Sequence, residues 1–128
     1  MKINSSKIRM ILFSIGLVLL GFATYLLLTP SVGKTPSLFP HMDKVLHFLI
    51  HFGFGSWFAQ LTSRKKSGCS IALWGVAIEM IQPYTGRSFD WFDLLANNMG
   101  LLIALKLFDT SKGYLHWFFR HFTPRKCG

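Results

Sequence analysis

Acidic residues are scarce in this chain. Five Asp and Glu stand against fourteen Lys and Arg, for a formal charge of +9 and a pI near 10. In a polar protein that balance points to nucleic acid. Here the basic residues lie between apolar runs, so anionic lipid accounts for them and no nucleic acid partner is expected. Charge of either sign is sparse, at 15% of residues against 51% hydrophobic, and mean hydropathy is +0.38. Disorder is thereby excluded, and too little polarity remains to clothe a soluble globule of 128 residues. There are two cysteines, Cys69 and Cys127. They are too few for a disulfide scaffold and form no Cys-x-x-Cys pair, which excludes a zinc module. Internal repeats and low-complexity stretches are also lacking, and the length suits one domain spanning residues 1–128.

What the chain has instead is four apolar runs. Met10 to Thr29 holds 20 residues without a charge, enough to span the ~30 Å hydrocarbon core of a bilayer. A secretory signal is the alternative, given Lys2, Lys7 and Arg9 before it, but the run exceeds a usual h-region and no Ala-x-Ala-like site follows. The second run, 45–61, carries His47 and His51 and ends at the basic break 62–68. The third, 69–84, is interrupted by Glu79 and stopped at Pro83; the fourth, 91–108, is polar only at its start. If all four cross a membrane, 11 of the 14 basic residues fall on one side, leaving Lys34, Lys44 and Arg87 on the other. The positive-inside rule then predicts an all-α protein with four transmembrane helices and both termini cytoplasmic. The basic aromatic tail, 109–128, reads as a short interfacial helix or as a disordered segment, and the three-proline loop from Pro30 to Pro40 as an extended outer connector.

Helical periodicity gathers the polar residues. At 100° per residue, Asp43, Lys44, His47, His51 and Gly55 share an arc of about 120° on the second helix. Gly68, Ala72, Gly75, Glu79 and Gln82 share about 80° on the third, and Asp93, Ala96, Asn97, Gly100 and Ala104 about 100° on the fourth, with Asn98 well off that face. Under the four-helix topology these groups meet in the outer half of the bilayer, beneath Arg87 and Asp90. The expected pocket opens outward and is built from Asp43, Lys44, His47, Glu79, Gln82, Arg87, Asp90, Asp93 and Asn97, with small residues such as Gly75 and Gly100 allowing close helix packing.

Each group also has a plainer reading. Asp43 and Asp93 sit where helix N-termini favour acids, and an Asn in a membrane helix often holds helices together. Glu79 is harder to dismiss, because an ionisable group within an apolar run is costly and by default functional. His47, His51 and Glu79 offer a His-His-Glu donor set, but His-x-x-x-His spacing is common and no His-Glu-x-x-His occurs. Two histidines stacked at a helix interface are the plainer account of the spacing, so no metal and no cofactor is assigned.

The order Asp43-Lys44-x-x-His47-Phe48, then Glu79-x-x-Gln82, Arg87, and Asp93-x-x-x-Asn97-x-x-Gly100 resembles the VanZ-like family of small bacterial membrane proteins. The resemblance runs from the second helix to the fourth; His51 and Asp90 stand outside it. It implies a polytopic protein of the bacterial inner membrane and cell envelope, whose namesake is associated with reduced susceptibility to teicoplanin, a glycopeptide acting on cell-wall precursors. It supplies no reaction.

Two functions remain open. One is recognition of an envelope lipid headgroup, cell-wall precursor, glycopeptide or lipopeptide, with Lys44, Arg87, Asp43, Gln82 and Asn97 as contacts. The other is an enzyme acting on an envelope lipid, with Glu79, His47 and Asp93 in acid–base roles. No Ser or Cys nucleophile accompanies the pocket, since Cys69 falls at the opposite surface. The expected partners are the bilayer and such a ligand, and Gly53, Gly55 and Gly100 leave room for a homo-oligomer.

Overall fold

Leu dominates the opening run, with Ile and Phe beside it, and the chain there is helical from the first described residue. The computed structural model describes residues 5–30 and 40–122. Five α-helices follow in order: α1 (Ser5–Leu28), α2 (Met42–Leu61), α3 (Arg64–Ile81), α4 (Trp91–Leu107) and α5 (Tyr114–Phe122). Among the described residues there is no strand, only an isolated bridge between Asp109 and Lys112. The three-proline loop and the end of the basic tail lie almost entirely outside the described residues.

The helix boundaries follow from local chemistry. Ser63 caps α3 by accepting the Lys66 N–H at 3.3 Å, so Arg64, Lys65 and Lys66 lie inside the helix. This corrects the expected break over 62–68, which hydropathy suggests but a serine cap overrides. α3 ends at Ile81, short of the expected residue 84, and Gln82–Thr85 tighten into a 3-10 turn. Pro83 has no N–H to continue the α-helix, and Gly86 at φ 84° reverses the chain. Asp90 caps α4 by accepting the Phe92 N–H at 2.8 Å, and Lys106 stands in the last turn.

The most extensive packing joins α2 to α4. Gly100 makes it close: a β-carbon there would collide with the Phe48 carbonyl oxygen. α1 lies on α2 where Gly16 meets Trp57 and Phe58, and Trp57 Nε1 donates to the Leu12 carbonyl at 3.1 Å. Phe58, Ile71 and Leu101 form the buried apolar centre. Around it, burial is inverted relative to a water-soluble domain. His47, His51, Gln60, Glu79, Gln82, Asp93 and Asn97 are buried, whereas Val18 (72% exposed), Leu73 (70%) and Leu102 (65%) face outward.

α1 is the one described helix long and apolar enough by length and composition to cross a membrane. At 1.5 Å per residue its length is about 36 Å. α5 is short and strongly amphipathic, with Leu115 buried and Trp117 and Phe122 exposed. Its first turn is fastened to α2, where Gln60 Oε1 accepts the Leu115 N–H at 2.8 Å.

Candidate functional site

The polar faces expected on α2, α3 and α4 converge at the end of the bundle where α3 gives way to its 3-10 turn and α4 begins. At their centre is His47, fully buried. Its Nδ1 lies 2.9 Å from Asn97 Oδ1 and 3.5 Å from Glu79 Oε1. A carbonyl oxygen only accepts, so Nδ1 carries the proton in this contact. Nε2 then points its remaining site toward Asp43 Oδ1 at 3.8 Å and Asp93 Oδ2 at 3.7 Å. Asp43 precedes His47 by one helical turn, and Asp93 enters from the first turn of α4. Gly75 leaves no side chain to crowd His51 and Asn97.

Two cations sit at the rim, and both are engaged by carboxylates. Lys44 Nζ contacts Asp90 at 2.8 Å and Asp93 at 3.4 Å. Arg87 donates to Asp43 Oδ1 at 3.0 Å and to the Leu27 carbonyl at 3.1 Å. The Lys44 ammonium, with the Phe92 N–H beside it, holds the Asp90 carboxyl below the ordinary carboxylate range. The site thus holds four carboxylates, Asp43, Glu79, Asp90 and Asp93, against two permanent cations. Two negative charges are in surplus when all four are ionised and His47 is neutral.

Several buried atoms here lack a hydrogen-bond partner: His47 Nε2, His51 Nε2, both Glu79 carboxylate oxygens, Gln82 Oε1 and Asn97 Nδ2. The Asp90 main chain faces the Glu79 carboxylate without closing a bond of good geometry. Unpartnered polar atoms in a buried cluster are rare and costly. Glu79 Oε1 stands 3.5 Å from His47 Nδ1 without a hydrogen bond between them, and His47 links the Glu79 side of the cluster to the Asp43–Asp93 side.

The structure thus brings together Asp43, Lys44, His47, Glu79, Gln82, Arg87, Asp90, Asp93 and Asn97. It leaves His51 apart. His51 Nδ1 donates back to the His47 carbonyl at 3.0 Å, and its ring rests on Trp74 with centroids 5.0 Å apart. The His47–His51–Glu79 donor set considered from sequence is therefore not assembled. Among the described residues the donor atoms that do converge, all within 4.8 Å of one another, belong to Asp43, His47 and Asp93. Asn98 turns away, donating to the Leu94 carbonyl at 2.9 Å.

One participant has no signal in the sequence. The Leu27 carbonyl, in the last turn of α1, accepts from both Gln82 Nε2 at 3.2 Å and Arg87. Helix ends leave such carbonyls unpaired, yet nothing in the letters identifies which helix end reaches the site.

Comparison with known proteins places these residues in context. The model of the VanZ/LLP1 family matches residues 3–112, which covers every residue of the site. An uncharacterized protein of Schizosaccharomyces pombe is 34% identical over 99 residues, 70% of this chain and 61% of its own length. The chain therefore spans about three-fifths of that relative. No solved structure matches the chain.

Proposed function

The chain belongs to the VanZ/LLP1 family, and we propose that it is a multi-pass protein of the bacterial cytoplasmic membrane whose polar site receives the anionic headgroup of an envelope lipid or lipid-linked cell-wall precursor. α1 to α4 cross the bilayer, both termini are cytoplasmic, and α5 lies along the inner surface. The observation that carries this reading is the inverted burial: charged and amide side chains inside one end of the bundle, large apolar side chains outside. α2, α3 and α4, with 20, 18 and 17 residues, reach about 25–30 Å, close to the hydrocarbon thickness. An ionisable group within such helices is expensive to keep without a use. Lys44 and Arg87 stand at the rim, where a phosphate oxygen is able to exchange with the carboxylates they now hold.

Topology is tested with a membrane-impermeant maleimide on intact cells, using Thr85→Cys with Cys69 and Cys127 changed to Ser. Labelling at position 85 from outside, with the native thiols of the parent reached only after permeabilisation, is the expected pattern; the reverse overturns the outward site. Ligand binding is tested on the purified full chain by native mass spectrometry with phosphatidic acid against phosphatidylcholine. Phosphatidic acid is retained selectively, and Arg87→Gln and Lys44→Gln lose that selectivity. Equal retention of both lipids refutes headgroup recognition.

The unpartnered Glu79 carboxylate beside His47 favours a second reading, acid–base catalysis on the bound lipid. Glu79→Gln separates the two. If expressing the parent lowers teicoplanin susceptibility, a binding role keeps part of that effect, whereas a general base loses nearly all of it at normal protein levels. Loss of protein in step with loss of effect sinks the catalytic reading.

A further inference from the structure

We infer that Asp43, His47 and Asp93 form a binding site for one divalent metal cation at the mouth of the polar cluster. The first ground is the orientation of His47. Asn97 fixes its proton on Nδ1, so the buried Nε2 presents a lone pair to two carboxylate oxygens and has no hydrogen-bond partner. Lone pairs facing one another repel unless a positive centre lies between them. The second ground is spacing. Distances of 3.7 and 3.8 Å are too long for hydrogen bonds, yet ligands about 2.1 Å from a tetrahedral ion stand about 3.4 Å apart. Those two gaps need to close by only a few tenths of an ångström, and all three donor atoms already lie within 4.8 Å of one another.

The surroundings are those of a supported ligand set. A metal-binding imidazole characteristically donates its other N–H to an oxygen, as His47 does to Asn97. Lys44 holds Asp93 Oδ1, leaving Oδ2 to face His47, and Arg87 donates to Asp43 Oδ1, the oxygen that faces His47, fixing its position while a second lone pair of that oxygen stays available. A dication also neutralises the two surplus negative charges of the cluster. Two carboxylates and one imidazole suit Mn²⁺ or Zn²⁺. Three protein ligands leave coordination open beside Asp43, whose side chain is 48% exposed. Resting on the headgroup reading, a phosphate oxygen takes that position, which reconciles an acid-rich site with an anionic lipid.

The test uses the full chain in detergent, stripped with EDTA and dialysed, with Mn²⁺ alone as probe and loss of its free-ion paramagnetic resonance signal as readout. One Mn²⁺ per chain is expected. Asp43→Asn, His47→Gln and Asp93→Asn each weaken binding by about a hundredfold or more, and Asn97→Ala by about 10–100-fold. Asp109→Asn, at the far end of the bundle, leaves it unchanged. Circular dichroism and monodispersity establish that each variant is folded; Asp43→Asn, at a half-exposed position, serves if the buried variants fail. A folded parent that binds no Mn²⁺, or a folded Asp43→Asn that binds as the parent does, overturns the site. Mn²⁺ binding without retention of phosphatidic acid keeps the cation site and discards the headgroup reading; retention without Mn²⁺ binding does the opposite.

Discussion

Gln60 and Glu79 are both buried polar side chains on largely apolar helices, about 2% and 0% exposed, and their surroundings differ. Gln60 Nε2 donates to the Ser56 carbonyl at 2.9 Å while its Oε1 accepts the Leu115 N–H. Ser56 in turn meets the Tyr114 hydroxyl at 3.2 Å, and Arg64 meets Asp109 at 2.7 Å nearby. At that end of the bundle polar groups close on one another and fasten α5. Around Glu79 the carboxylate oxygens, His47 Nε2, Gln82 Oε1 and Asn97 Nδ2 remain open. Burial alone does not separate the two ends; partner satisfaction does. A polar network that is closed rigidifies a fold, whereas one left open holds capacity for something else.

The contrast can be broken in graded ways. Gly100→Ala drives a methyl group into the Phe48 carbonyl where α2 and α4 touch, and both ends depend on that contact. It has the largest effect, a loss of about 1–3 kcal/mol, seen as a lower melting temperature with binding and stability falling together. Gln60→Leu strikes the closed end only. It strands the Leu115 N–H at a cost of about 1–3 kcal/mol, and hydrogen exchange shows α5 opening while phosphatidic acid retention persists. Glu79→Gln acts at the open end with the opposite sign. Replacing an unpartnered buried carboxylate leaves the melting temperature unchanged or raises stability by about 1 kcal/mol, while function falls.

The smallest effect is a pH dependence at the closed end. The Ser111 hydroxyl and backbone N–H, followed by Arg64, hold the Asp109 carboxyl down at about 2. Because this lies below its ordinary 3.8, the contribution is complete above about pH 4 and disappears as pH falls toward 2. The melting-temperature difference between the parent and Asp109→Asn is therefore constant near neutrality and narrows in acid.

Much of the site is legible from spacing, because a 100° rotation per residue sets Asp43 with His47, Glu79 with Gln82 and Asp93 with Asn97 before any packing is known. The starts and ends of α2 and α4 are legible to within a few residues for the same reason. The start of α3 is not, since the Arg64–Lys66 run reads as a polar gap while Ser63 supplies a helix cap. Partner choice is also hidden. Nothing in the periodicity says that Lys44 takes Asp90 and Asp93, that Arg87 takes Asp43, or that His51 turns toward Trp74. Those pairings depend on the relative depth of neighbouring helices and on which side chain reaches first. Gln60 shows no sequence signal of its clasp, because its partner is a backbone N–H on a segment 55 residues away.

The Leu27 carbonyl carries a consequence for how this protein is to be studied. A main-chain oxygen belongs to no particular residue type, so position 27 is free to drift among apolar residues while the atom gripping Gln82 and Arg87 stays in place. An alanine scan of α1 reads the packing lost with the buried Leu27 side chain and leaves that oxygen where it is. What does reach it is chemistry on the backbone itself. Converting the peptide link between Leu27 and Leu28 to an ester weakens the acceptor without altering any side chain, and it makes the first helix answer for the geometry of the polar cluster.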